Sequence, residues 1–120
     1  MSSIRYLIDE DTTHAIRDGL LRRQPNIEIQ VIGGYLAPLL GTKDPEILNW
    51  TEREEYILIS SNRRTMPRHL RDYLKAGGHT PGIFLLRRKA TLRDIIEDLL
   101  LVWEAGAPQE YQDKITYIPL

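Results

Sequence analysis

The sequence predicts an open α/β sandwich, and three observations point that way. Short apolar runs of the kind that fill a buried parallel strand recur along the chain, at 4–8, 28–32, 56–59 and 82–86. Between them lie stretches whose apolar residues keep helical spacing, so strand and helix alternate from end to end, as in βαβ units. At 120 residues the chain makes one domain, 1–120, with a single core that buries roughly two-thirds of the unfolded surface. The expected architecture is a three-layer α/β/α sandwich around a mainly parallel sheet of four or five strands.

The elements follow in order. Ile4 to Ile8 is the first strand. Thr12 to Arg23 reads as a helix, with Ala15, Ile16, Gly19 and Leu20 at helical spacing, Asp11 or Thr12 as its cap and Pro25 as its stop. Glu28 to Ile32 is the second strand, closed by a turn at Gly33-Gly34, which lacks the third spaced glycine of a dinucleotide fingerprint. Tyr35 to Lys43 is a loop, unusually apolar at 35–40 (YLAPLL), and reads either as core or as an exposed patch for a partner or second subunit. Asp44-Pro45-Glu46 opens the next helix, with Asp44 as N-cap and Pro45 at the first helical position. Tyr56 to Ile59 is the third strand, and Thr65 to Lys75 a helix halted by Gly77-Gly78. Gly82 to Leu86 is the fourth strand. Thr91 caps the longest helix, whose stripe is Leu92, Ile95, Ile96, Leu99, Leu100 and Trp103. Tyr117 to Leu120 is expected as an edge strand, where proline is tolerated.

Composition narrows the function. The net charge of −1 argues against a generic nucleic-acid coat, leaving room for a local basic patch. The absence of cysteine excludes disulfides, thiolate zinc sites and cysteine nucleophiles. No apolar run reaches the roughly 20 residues of a membrane span, and the N-terminus lacks a signal-peptide layout. The expectation is a soluble, cytoplasmic protein without a membrane partner.

The first strand runs straight into Asp9-Glu10-Asp11. Acids crowded at the carboxyl end of a parallel strand repel one another and call for a cation, an arginine or a helix N-terminus. In the predicted sheet, Asp9 would meet the start of the helix at Asp44 and Glu46 and the strand exit Ser60 to Arg64. Carboxylates converging from separate elements suit a hard cation such as Mg²⁺ or Mn²⁺. Arg63, Arg64, Arg68, His69 and Arg71, with Arg87, Arg88 and Lys89 after the fourth strand, could flank the cleft and hold a phosphate backbone, although Arg68 and Arg71 better suit a solvated helix face and Arg63 and Arg64, on the strand-end loop, better suit the cleft. His14, His69 and His79 do not form a metal signature and read as structural or surface groups. Ser60 and Ser61 lack a nucleophile elbow and suit hydrogen bonding at the loop. Trp50 and Trp103 read as helix-face core, with Trp103 and Tyr111 as candidates for a dimer surface.

Several of these pieces, taken together, resemble the PIN-like domains, specifically small PIN-like proteins encoded beside an antitoxin partner. They are Leu7-Ile8-Asp9-Glu10, Asp44-Pro45-Glu46-Ile47-Leu48, Ile57-Leu58-Ile59-Ser60-Ser61-Asn62, Thr65-Met66-Pro67, Pro81-Gly82-Ile83-Phe84 and the ending Ile115-Thr116-Tyr117-Ile118-Pro119-Leu120. The resemblance implies a Mg²⁺- or Mn²⁺-dependent nuclease centre acting on RNA, an antitoxin protein as partner, and Asp9 and Asp44 as metal ligands. Glu10, Glu46 and Ser60 become supporting residues, and Arg63, Arg64 and Arg87 nucleic-acid contacts. Asn62 stands where the family has its next acid, and Arg64 where a further acid is often found. Both departures remove negative charge, so metal binding should be weakened, and Arg64 could pair with Asp9 and Asp44 in place of an ion. The competing expectation is a catalytically silent module of the same fold that binds RNA or a protein.

Overall fold

The computed structural model describes residues 4–120, which form a five-stranded, all-parallel sheet with helices on both faces. The elements are β1 (Tyr6–Ile8), α1 (Ala15–Arg23), β2 (Ile29–Val31), α2 (Asp44–Glu54), β3 (Ile57–Ser60), α3 (Met66–Lys75), β4 (Ile83–Leu86), α4 (Leu92–Ala105) and β5 (Ile115–Ile118). A turn of 3-10 helix at Pro108–Glu110 precedes β5. Across the sheet the order is β2-β1-β3-β4-β5. The three-layer α/β/α sandwich expected from the sequence is the one observed.

Burial explains the order. β1, β3 and β4 are buried along their whole length and occupy the middle, whereas β2 and β5 are half-exposed and form the edges. Strand alternation then splits the core in two. Tyr6, Ile8, Ile59, Phe84 and Leu86 face α1 and α4, while Leu7, Leu58, Ile83 and Leu85 face α2 and α3. Gly19 is where α1 meets α4: a Cβ there would lie 2.2 Å from Ile96 Cδ1. The buried Tyr6 hydroxyl donates to the Leu99 carbonyl at 2.8 Å, satisfying a phenol that would otherwise be stranded in the core.

The placement of the helices also fixes handedness. The chain steps from β1 to β2 in one direction over the α1 face, and from β2 to β3 and β3 to β4 in the other direction over the α2/α3 face. These three connections share one hand. The step from β4 to β5 continues in that second direction but crosses the α1 face, so it has the opposite hand. Since βαβ units are overwhelmingly right-handed, the return through α4 is the exceptional one.

Several sequence-derived boundaries move. α1 begins at Ala15 rather than Thr12, because Thr12 is buried and engaged elsewhere; Thr13 Oγ1 accepts the Ala15 N–H at 3.2 Å. Lys43, not Asp44, takes the N-cap position of α2, which makes Asp44 the first helical residue. β5 starts two residues earlier than expected and ends before Pro119. Thr91 does cap α4, accepting the Asp94 N–H at 3.1 Å, but Leu92 is exposed rather than part of the buried stripe. Trp50 and Trp103 are half-buried at the core margin, and Tyr111 packs edge-on against Phe84.

The turn after α3 is fastened to the approach to β5. Asp113 sits in the left-handed region at φ 59° and accepts the Thr80 N–H at 2.8 Å on one oxygen, while its other oxygen lies 2.8 Å from His79 Nδ1. That hydrogen bond, reinforced by the Asp113 charge, raises the His79 pKa. A base bound more tightly to its proton when folded contributes stability that is complete below its unfolded value of about 6.5 and is lost as pH rises through the folded value. Asp113→Asn keeps the left-handed preference and the bond to Thr80 but removes the charge. Urea midpoints of the wild type should therefore fall across the raised His79 titration, and those of Asp113→Asn should stay level there. Parallel curves would discard the assignment.

Candidate functional site

Strand register decides what lies at the carboxyl end of the sheet. Ile8 stands opposite Ile59, so the next residues, Asp9 and Ser60, are neighbours on the face covered by α2 and α3. Asp9 N–H continues the ladder by donating to the Ile59 carbonyl at 2.9 Å. β2 lies on one side of β1 and β3 on the other. The connections leaving β1 and β3 therefore diverge, opening the crevice in which ligands of open α/β sheets gather.

Asp9 is held firmly. Ser60 Oγ donates to one carboxylate oxygen at 2.7 Å and Glu10 N–H to the other at 2.7 Å, while Ser60 Oγ itself accepts the Asn62 N–H at 3.0 Å. Burial pushes the Asp9 carboxyl above the usual carboxylate range; the two hydrogen bonds oppose the rise, and the nearby charges of Asp44 and Asp11 add to it. Here is a buried acid with surplus negative charge around it.

Asp44, freed from capping, points its carboxylate at His69, with 3.0 Å between Oδ2 and Nε2 and both side chains about three-quarters buried. Asn62 turns back on its own loop: Nδ2 donates to Thr65 Oγ1 at 2.6 Å, and Oδ1 accepts the Thr65 N–H at 3.3 Å, a local turn at the start of α3. Arg64 is exposed and takes part in no ion pair among the described residues, so the bridge to Asp9 and Asp44 is not formed. His69, read from the sequence as a structural or surface group, is structural and takes the place on Asp44 expected for Arg64. No three His, Asp or Glu side chains converge on one ion-sized point among the described residues.

The other candidates separate by role. Glu10 accepts the Gly41 N–H at 2.8 Å and so anchors the loop after β2, and Glu46 is exposed in the first turn of α2. Arg63 donates to the Leu86 carbonyl at 2.7 Å, tying the β3 exit to the β4 exit. Arg87 donates to the Pro119 carbonyl at 2.6 Å and covers the Tyr117 ring, so it braces the end of β5. Thr12, expected as a helix cap, is instead a buried bracket: its Oγ1 accepts the Ser61 N–H at 3.1 Å and lies 3.3 Å from Ser61 Oγ. A hydroxyl directly after an acidic run gave no sequence signal for that role.

Charge is divided along this edge. Glu10 and Asp11 follow β1, and Asp44 and Glu46 open α2 with Lys43 before them and His69 against Asp44; Arg63 and Arg64 follow β3, and Arg87, Arg88 and Lys89 follow β4. A separate cleft of about 480 Å³ opens at the amino ends of the strands, lined by Arg5, Glu52, Glu55, His79 and Asp113 among others. Most of its polar groups are already engaged. Glu52 accepts from the Tyr73 hydroxyl at 2.5 Å and from His79 N–H at 3.1 Å, Asp113 is held as described, and Arg5 binds Glu28 and the Glu54 carbonyl. Among the described residues no helix is long and apolar enough to cross a membrane.

Comparison of the chain with family models, with curated proteins and with solved structures found no significant match.

The Thr12 bracket joins the exits of β1 and β3 directly beneath Asp9. Thr12→Val leaves the Ser61 N–H without its acceptor and should cost about 1–3 kcal/mol of stability, whereas Thr12→Ser should retain most of it. Urea denaturation of the two variants measures the difference, and equal losses would assign Thr12 to packing alone.

Proposed function

We propose that this chain is a PIN-like, divalent-metal-dependent ribonuclease-type domain, cytoplasmic, and the toxin half of a toxin–antitoxin pair. The observation that carries the reading is the meeting of Asp9 and Ser60 at the topological switch point, with Asp44 close enough to raise the Asp9 pKa. An acid buried beside other acids is relieved by a cation, so the donor chemistry fits Mg²⁺ or Mn²⁺. Asp9 and Asp44 would hold it, Ser60 would orient Asp9, and Glu10 and Glu46 would add to the local field. Such an ion supplies Lewis-acid activation of a phosphodiester and of the attacking water. Arg64, Arg88 and Lys89, exposed above β3 and β4, would position the RNA backbone through its phosphates; Arg63 and Arg87 contribute charge from their braced positions.

A second reading rests on a specific observation. Both polar atoms of the Asn62 side chain are engaged with Thr65, and Asp44 is engaged with His69. A centre with two acids and such competition binds metal weakly, and the same fold could serve as a silent module for RNA or protein.

Two measurements decide between them. Added Mn²⁺ should raise the thermal midpoint of the wild type but not of Asp9→Asn, and single-stranded RNA should be cleaved with Mn²⁺ by the wild type alone. Ser60→Ala should lower metal affinity or activity by roughly 10–100-fold. Asn62→Asp, which keeps an acceptor for the Thr65 N–H, should tighten Mn²⁺ binding. If the wild type neither binds Mn²⁺ nor cleaves while Asn62→Asp does both, the silent module is correct. If neither protein responds, the nuclease reading fails.

A further inference from the structure

The cleft at the amino ends of the strands lies at the opposite end of the sheet from Asp9. Arg5 precedes β1, Ile57 opens β3, Pro81 leads into β4 and Asp113 into β5, while Glu52 and Glu55 come from the end of α2. Its volume of about 480 Å³ suits a small organic molecule. Ile4, Ile57, Pro81 and Pro108 give it an apolar wall. The helix end beside that wall is the anomaly. The last carbonyls of a helix carry partial negative charge, which favours Lys or Arg there and disfavours Asp or Glu. α2 instead closes on Glu52, Arg53 and Glu54, followed by Glu55 in the left-handed region at φ 62°.

The cations of the protein answer these acids only in part. Arg5 donates to the Glu54 carbonyl and, at 3.4 Å, to Glu28, and its guanidinium covers the Tyr56 ring. It stands 4.0 Å from Glu55, beyond hydrogen-bond reach. Arg53 is taken by Glu54 at 3.1 Å, and the His79 ring by Asp113 at 2.8 Å. Glu52 accepts the Tyr73 hydroxyl and the His79 N–H, both uncharged donors and both on Oε1, so its Oε2 takes no hydrogen bond among the described residues. Two carboxylates thus line the cleft without a hydrogen-bonded cation, next to apolar surface and a negative helix end. A bare metal ion needs side chains converging on one point, and no three His, Asp or Glu do so among the described residues. An ammonium needs no such convergence, since it is a compact charge with three rotatable donors. We infer that this cleft binds a small organic cation, a primary alkylammonium with its head on Glu52 and Glu55 and its body against Ile4, Ile57, Pro81 and Pro108. The Asp9 crevice takes no part, so the inference is independent of the ribonuclease reading.

The test titrates the full chain with n-hexylamine, n-hexanol, hexanoate and Nα-acetyl-lysine amide, following backbone amide chemical shifts. Hexylamine should bind saturably, with Kd on the order of 1 mM, and should shift His79, Thr80 and Asp113 while leaving Glu10 and Asp11 unmoved. Glu52→Gln with Glu55→Gln should weaken it about tenfold or more and reduce its salt dependence; an amide at position 52 still accepts from Tyr73 and His79. Asp11→Asn with Asp94→Asn, which removes two exposed acids at the carboxyl end of the sheet, should leave binding unchanged. Circular dichroism verifies folding, and should the double glutamine variant not fold, discrimination among the probes by the wild type still decides. Equal binding of hexanol overturns the inference, because charge then plays no part. Tighter binding of hexanoate overturns it in favour of an anion on Arg5 and His79. Tighter binding of the lysine derivative would assign the cleft to a protein side chain instead of a free amine. Absence of saturation, shifts confined to the Asp9 crevice, or unchanged affinity in the double glutamine variant also overturns it.

Discussion

Parallel pairing of β1 with β3 is the constraint on which the rest of the molecule depends. Ile8 opposite Ile59 sets the alternation that sends Tyr6, Ile8, Ile57 and Ile59 into one half of the core and Leu7 and Leu58 into the other. A slip of one residue would exchange these sets and turn Asp9 and Ser60 to the wrong face. The same pairing places β2 and β3 on opposite sides of β1, so the crevice exists because of it. Three bonds continue the pairing past the ladder: Asp9 N–H to Ile59, Ser60 Oγ to Asp9 and Ser61 N–H to Thr12. Stability and site geometry thus share one set of contacts.

The charge balance of the crevice follows from which neighbours are free to move. Arg64 extends into solvent from the loop, where its long side chain keeps its hydration and rotamer freedom. His69, carried by α3 with its N–H donating to the Thr65 carbonyl, is already placed one helical turn in and meets Asp44 at small entropic cost. Asp9 itself is met only by hydrogen bonds, and burial raises its carboxyl against them, with the charges of Asp44 and Asp11 adding to the rise. Asn62 in the role of a turn-former is the other consequence. An amide both donates and accepts within its own loop, where a carboxylate could only accept.

The sequence made legible whatever depends on period and composition. The runs YILI and GIFLL read as buried strands, Thr91 as the cap of a long apolar stripe, and the alternation of elements as a mainly parallel sheet. Asp9 and Ser60 were visible as strand-end residues because strand ends are legible. Partners set by tertiary register were not. His69 and Asp44 are 25 residues apart, and nothing local joins them. Thr12 looked like a cap because a hydroxyl before a helix usually is one, and its actual partner, Ser61, is 49 residues away. The opposite hand of the α4 return was equally hidden, since it depends on which face the helix covers and not on its own pattern.

Three consecutive acids at the end of a buried strand ought to be unfavourable, and the structure accommodates them by sending each in a different direction. Asp9 turns inward and is met by two donors. Glu10 turns outward and accepts from Gly41, which brings the end of the apolar loop to the rim of the crevice. Asp11 remains in solvent, where its charge is cheapest to keep. The run is therefore three separate devices: one for the crevice, one for the loop and one for the surface field. Glu10 is the link between the first two. Any force that displaces the loop acts on the peptide unit that also supplies an N–H to Asp9. One residue thus fastens the end of the loop and supplies a donor to the buried carboxylate.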